Sequence, residues 1–509
     1  RDVGATLTSG TGNTLIGASA NVSSATSIDR IAIGRAASST ADFTVQIGES
    51  AVSGGATGTL RYRSQIVSQE TWTTTAAGFA FIDATGNMQK GTGLPLAGTL
   101  TADNTAVGSG SLAAITTGVD NSAFGVNTLN ALTSGNRNTA MGDNALALVS
   151  TVSDNTAYGA TTLAVLTTGT RTVAVGGSAL AALTTTNNNT AVGFQAGNTM
   201  NTGASNTLLG TYAGNTITTG SSNVAVGTSS ALGAATTLNT IVGASAGAAT
   251  IGDNNTAVGA NTLNSAAAAV TDIVAIGTNA LTDALTVGAN GTVAVGTSAL
   301  TALTSGASNT AMGRNAGASI TTGSSNTVIG HTSASAATAS NNTIVGATTG
   351  STALGDNNTA LGTNTLNSPA AAVTDIVAIG TNALTDAMTA NGTVAVGSSA
   401  LVALTTGATN TAIGSTAGST ITTGSANTLV GHTTASAATA SNNTIVGATA
   451  GSTAIGGNNT AVGANTLNSP AAAITDIVAI GANALTSAIT SNGTVAVGSS
   501  ALTALTGGT

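Results

Sequence analysis

The chain has 509 residues, of which 41% are hydrophobic, 5% charged and 2% aromatic, with a formal net charge of −8 and no cysteine. An ordinary globular domain is about a quarter charged, and a disordered chain is poor in apolar residues and rich in charge, so this composition is neither. The thin negative charge offers no basic patch for phosphates, which argues against a nucleic-acid partner; no apolar run is long enough for a bilayer crossing, and without cysteine there is no disulfide framework or thiolate chemistry.

The first residues, Arg1-Asp2-Val3-Gly4, carry no secretory core. They fit a processed secreted chain or one exported by another signal. Residues 1–48 hold weak, irregular repeat units ending at Gly17, Gly34 and Gly48. Residues 49–103 break the pattern and read as a small inserted β-domain with a linker. They contain Trp72, the chain's single Trp, with Tyr62, Arg61, Arg63, Phe79, Phe81, Glu70 and Asp83. "TLRYRSQIV" alternates as a half-buried strand, "GFAFID" reads as another, and "TGNMQKGTGLP" reads as turns. Trp72, Tyr62, Arg61 and Arg63 are candidate docking residues, because Trp, Tyr and Arg favour interfaces. The plainer and preferred reading has the aromatics filling the domain's own core, since a small β-domain needs large side chains.

From residue 104 to 509 the chain is a repeat. "NTAVG" opens at Asn104, "NSAFG" at Asn121, "NTAMG" at Asn138 and "NTAYG" at Asn155. The closing glycines, Gly108, Gly125, Gly142, Gly159, Gly176, Gly193, Gly210 and Gly227, are 17 residues apart, and the series continues at intervals of 16 to 19 to Gly498, making 24 units. A larger block repeats as well: "SNNTIVGAT" occurs at Ser340 and Ser441, and "TDIVAIG" at Thr271, Thr374 and Thr475.

Within a unit, the residue before the glycine is large and apolar (Val107, Phe124, Met141, Tyr158), the one before that is mostly Ala, and four before the glycine Asn stands in 17 of 24 units. Four residues after the glycine stands Leu or Gly in most units. The pattern predicts an all-β fold, a parallel β-solenoid of about 17-residue coils. Thr-Ala-Val is a short strand stacked at ~4.8 Å, and the glycine permits a tight bend. The Asn column predicts an amide ladder. The arm after the glycine reads equally as a helical turn or a second short strand. No coil folds alone: ordering each residue costs roughly 1–2 kcal/mol against about 1.5–3 kcal/mol for one buried Val or Leu, so stability comes from stacking.

Alternate strand residues face opposite sides, so both faces of Thr-Ala-Val carry an apolar column. The large residues are expected to fill the coil. The narrow Ala column, with Ala106, Ala123, Ala140, Ala157, Ala174 and Ala191, is expected to pack against further copies of the chain.

Catalytic chemistry has little to work with. Glu49, Glu70 and Asp83 could in principle form a carboxylate pair of glycosidase type, but solvated carboxylates are the better reading. His331 and His432, the only two histidines, lie one block apart without companion ligands and read as a duplicated surface residue rather than a metal ring. "GDNN" at Gly252 and Gly355 reads as an Asx turn. No catalytic, cofactor or metal site is expected.

The pentapeptides "NTAVG", "NTAIG" and "GTVAVG", followed by small-residue turns such as "GANTL" and "GSTAG", resemble the head repeats of trimeric autotransporter adhesins of the YadA type, and similar repeats in phage and viral tail fibres. The resemblance covers about 400 residues after Asn104. It implies a left-handed β-roll, with Thr105-Ala106-Val107 as strand and Gly108 at the bend, and a homotrimer on a cell surface or virion. The period is longer than is usual in those heads, and no heptad stalk, anchor barrel or self-cleaving chaperone domain is recognised. The expected function is a non-enzymatic extracellular fibre presenting an adhesive end to a host receptor or glycan. The alternatives are a filament polymerised end to end and, well behind, a polysaccharide-degrading fibre.

Overall fold

The computed structural model describes residues 104–505, with short breaks at 249, 335–338, 351–353, 387, 435–439, 452–454 and 471–472, and a few short strands before them. The chain divides into two compact units, Arg1–Thr92 and Gly93–Thr509.

In the first unit, Thr14–Ile16, Ile31–Ile33 and Val45–Ile47 pair in parallel. They are the strands of the weak units ending at Gly17, Gly34 and Gly48. Ala80–Ile82 pairs antiparallel with Met88–Lys90. The first of these lies in "GFAFID", as its alternation predicts. The second falls in the stretch read as turns, so that reading is corrected: Met88-Gln89-Lys90 is the return strand of a hairpin. "TLRYRSQIV" lies outside the described residues.

The second unit is a parallel β-solenoid. It has 24 three-residue strands, from Thr105–Val107 to Val495–Val497, one per coil. Each pairs in register with the strands of the coils before and after it, so Ala140 lies between Ala123 and Ala157. One 3-10 turn, Val287–Ala289, interrupts an otherwise helix-free array among the described residues. The arm after the glycine is neither helix nor strand. It is a run of turns bonded to the next coil, for instance Leu112 N–H to the Thr128 carbonyl at 3.0 Å and Thr116 N–H to Thr133 at 2.8 Å.

Backbone sign explains the odd residue choice along that arm. The position four after the glycine is left-handed in coil after coil: Leu129 has φ 51°, Leu146 50° and Leu163 50°, and where Gly replaces Leu, Gly197 has 60° and Gly214 61°. Glycine is there for the dihedral. Leucine is there despite it, because its side chain fills the coil. The bend glycines are held twice over. Gly159 has φ 130°, and a Cβ on it would lie 2.7 Å from the Gly176 carbonyl oxygen of the next coil.

The core has four recurring columns: the strand Ala, the Ala or Thr three after the glycine, the Leu four after it, and the Leu, Ile, Val or Met seven after it. Ala140, Leu146 and Val149 are fully buried members of one coil. Their volumes compensate. Where the strand residue is large, as in Leu208, Ile241 and Ile344, the same coil carries Gly214, Gly247 and Gly350 at the left-handed position. Where both are small, as at Ala412 and Gly418, neighbouring coils fill in. A Cβ on Gly418 would lie 2.8 Å from both Leu401 and Leu429. A close-packed interior demands this trade, since both voids and overfilling destabilise.

Candidate functional site

The buried Asn column is a ladder. Asn138 Nδ2 donates to Asn121 Oδ1 at 3.0 Å and to the Val152 carbonyl at 2.8 Å, while its backbone N–H donates to Asn121 Oδ1 at 2.9 Å. Asn155 repeats the pattern upon Asn138. Ile273, Ile376 and Ile477 interrupt the column, and each still donates its backbone N–H to the preceding Asn Oδ1. Among the described residues, Asn342 Nδ2 and Thr393 Oγ1 are buried without a hydrogen-bond partner. Apart from Asn342 Nδ2, the ladder consumes its polar groups internally, so it holds the coils in register rather than offering a surface.

The two apolar columns of the strand are placed opposite to the expectation. Ala123, Ala140, Ala157, Ala174 and Ala191 have no exposure and Ala106 has 5%, all inside the coil. The large residues point outward: Val107 is 40% exposed, Met141 42%, Leu209 47% and Met312 47%. Ala106, Ala123, Ala140, Ala157, Ala174 and Ala191 therefore cannot be the surface that meets another chain. The cause is volume. Leu and Ile of the turn arm already occupy the interior, leaving room for only a methyl group on the strand in most coils.

The outer sheet face thus combines the apolar column, Val107, Phe124, Met141, Tyr158 and their successors, with a half-buried to exposed column of Thr and Val such as Thr139 and Val173. With 24 coils at ~4.8 Å and strands about 10 Å wide, this face covers roughly 1,100 Å².

Charge is sparse. Asp120, Arg137, Asp154 and Arg171 share one column on successive coils with alternating sign. Arg137 Nε donates to Asp154 Oδ1 at 2.6 Å and Nη2 to Oδ2 at 3.1 Å. The Arg137 hydrogen bond holds the Asp154 carboxyl below the usual carboxylate range. Asp476 is also held low, first by the Thr475 hydroxyl and then by Asn458. His331 hydrogen-bonds with the Arg314 guanidinium on the neighbouring coil. His432 accepts from Thr433 Oγ1, or donates to it, at 2.9 Å. No group of three His, Cys, Asp or Glu side chains suited to a metal occurs among the described residues.

One open groove of about 650 Å³ lies among Val165, Ala182, Asn198, Thr199 and Thr218, and no titratable side chain lines it. An exposed aromatic pair, Phe194 and Tyr212, meets edge to face at 5.7 Å between ring centres. Trp72, Tyr62, Arg61 and Arg63 lie outside the described residues, as do Glu49, Glu70 and most of their surroundings. No helix among the described residues is long and apolar enough to cross a membrane.

The fold and these columns define a β-solenoid repeat protein whose dominant surface feature is a lengthwise apolar sheet face. No family model and no curated protein matches the chain.

Proposed function

We propose that the protein is a non-enzymatic structural rod of an extracellular fibre, built from several parallel copies that meet through the outer sheet face. The observation that carries this reading is the continuous outward column of Val, Met, Leu and Ile along the coils. The sheet face, roughly 1,100 Å² with the apolar column and its flanking Thr and Val column together, exceeds the ~800 Å² that each partner commonly buries in a stable interface. Left in water it is an aggregation liability; paired with itself it becomes a core. Lateral copies related by rotation about the rod axis bury that column on every chain, and threefold packing is the arrangement that the resemblance to adhesin heads favours. At ~4.8 Å per coil the rod is about 115 Å long, which suits it to hold an adhesive end away from a cell or virion surface.

Sedimentation velocity of the purified chain tests this. The reading requires a discrete multimer; a stable monomer overturns it. Electron microscopy separates it from the filament alternative, because rods of one length support lateral packing and long fibres support end-to-end growth.

A further inference from the structure

One surface column belongs neither to the ladder nor to the apolar face. The chain contains ten Asn-x-Ser/Thr tripeptides, and nine of them, at Asn188, Asn254, Asn290, Asn341, Asn357, Asn391, Asn442, Asn458 and Asn492, fall in the coils. All nine sit at the same corner, one or two residues before the ladder position. Asn290 is half-buried, and the other eight are exposed. Six of them, Asn188, Asn254, Asn341, Asn357, Asn442 and Asn458, have left-handed backbone with φ of 60–65°, a conformation that Asn tolerates.

Two separate demands create the tripeptide. In six of the nine the corner Asn itself takes the positive φ and the strand begins with Thr two residues later; at Asn290, Asn391 and Asn492 the following glycine takes it, with φ of 66–70°, and the Thr stands at the ladder position just before a strand that begins with Val. The same topology keeps the buried ladder out of it. Two residues beyond Asn121, Asn138 or Asn206 stands the interior Ala or Leu of the strand, never Ser or Thr. The corner amides are thus marked and the ladder amides are not.

We propose that this corner column is a row of N-linked glycan acceptors, an inference that rests on the extracellular reading above. Asn-x-Ser/Thr in a surface loop of an exported protein is the acceptor signal for a sugar carried on a lipid or nucleotide diphosphate. In the transfer, the Asn amide nitrogen bonds to the anomeric carbon, the bond from that carbon to the donor phosphate breaks, and one amide proton leaves with the diphosphate. The product keeps its Oδ1 acceptor. That matters at Asn290, Asn391 and Asn492, whose Oδ1 atoms accept the backbone N–H of Thr271, Thr374 and Thr475 at 2.9–3.0 Å. A sugar on nitrogen leaves those bonds intact.

Neighbouring coils limit occupancy. Asn341 and Asn357 lie on adjacent coils, as do Asn442 and Asn458, and Asn442 Nδ2 donates to Asn458 Oδ1 at 3.2 Å. One strand spacing of ~4.8 Å is too narrow for two branched glycans. Asn188 and Asn254 have no such neighbour, since Ser205 and Asp272 stand on the coils that follow them and Arg171 and Leu238 on those before. Asn391 and Asn492 likewise have no acceptor Asn on a neighbouring coil, and these four are the sites of highest occupancy.

The test is secretion of the full chain from an insect cell, whose lipid-linked oligosaccharide is the donor, followed by peptide mapping after peptide N-glycosidase in heavy-oxygen water. The expected result is conversion of Asn188 and Asn254 to labelled Asp, with Asn189 and Asn255 unlabelled. Thr190→Ala should abolish the label at Asn188 while Thr190→Ser retains it; Thr190 is exposed, so neither change threatens the fold. A secreted, protease-resistant chain with no sugar at any corner Asn overturns the proposal. Sedimentation of the same preparation separates the two readings: a sugar-free multimer counts against the glycan column alone, and a glycosylated monomer against the fibre alone.

Discussion

Asn155 stands directly over Asn138, its backbone N–H 3.1 Å and its Nδ2 3.3 Å from the Asn138 Oδ1. One buried oxygen therefore accepts two donors from the next coil, while the Asn138 amide nitrogen serves the coil below and the Val152 carbonyl. Replacing Asn138 by Ala strands a buried N–H and a buried carbonyl, each worth about 1–3 kcal/mol when unsatisfied. The expected result is a lower denaturant midpoint for Asn138→Ala, with Thr139→Ala close to the parent. Equal midpoints for the two variants would show that the ladder contributes nothing beyond the strand pairing.

The exchange of volume between strand and corner makes a paired prediction. Ala140→Leu overfills a site with no exposure and should cost about 1–3 kcal/mol. Adding Leu146→Gly reproduces the combination found naturally at Leu208 and Gly214, and also relieves a leucine held at φ 50°. The double variant should be more stable than Ala140→Leu alone. Additive destabilisation in a double-mutant cycle would contradict the proposed coupling.

Gly159→Ala should destabilise by more than about 1 kcal/mol, because its φ of 130° is strained for alanine and the new methyl meets the next coil's backbone. Gly177→Ala is the control: its Cβ would lie 3.5 Å from the Phe194 ring, an ordinary contact. Thermal melting of both variants separates a general effect of glycine replacement from the bend itself.

Acid should matter little until the carboxylates protonate. Asp154 and Asp476 have folded values lowered from the ordinary one. Their contribution is therefore present above the unfolded value and is lost as pH falls through the folded one. Both groups are solvent-accessible, so the loss is small. The melting temperature should be flat from about pH 8 to pH 5 and decline modestly below about pH 4. A steep loss near neutral pH would contradict a rod held by amides and packing.

The glycine ruler, the strand at Thr-Ala-Val, the stacking in register and the amide ladder were all legible in the sequence, because each depends on one residue type at one spacing. The hairpin partner Met88–Lys90 was not, because a short polar run with flanking glycines carries no alternation. The direction of the strand faces was not legible either. Ala140 and Met141 are both apolar, and which one turns inward depends on the volume that Leu146 and Val149 already occupy. That volume is set by a left-handed dihedral at leucine, which the leucine-or-glycine choice hints at but does not state. The same error misplaced the candidate interface onto Ala106 and its equivalents.

Association of the chains rests on the outward apolar column, and the sharpest measurement is the molar mass of the folded chain and of a variant carrying Met312→Lys and Ile413→Lys, compared by sedimentation equilibrium. Both side chains are more than two-fifths exposed on the single chain, so the substitutions should leave circular dichroism and protease resistance unchanged. The prediction is a multimer for the parent and a monomer for the variant. A parent that remains monomeric at every concentration, or a variant that assembles as the parent does, would contradict association through this face.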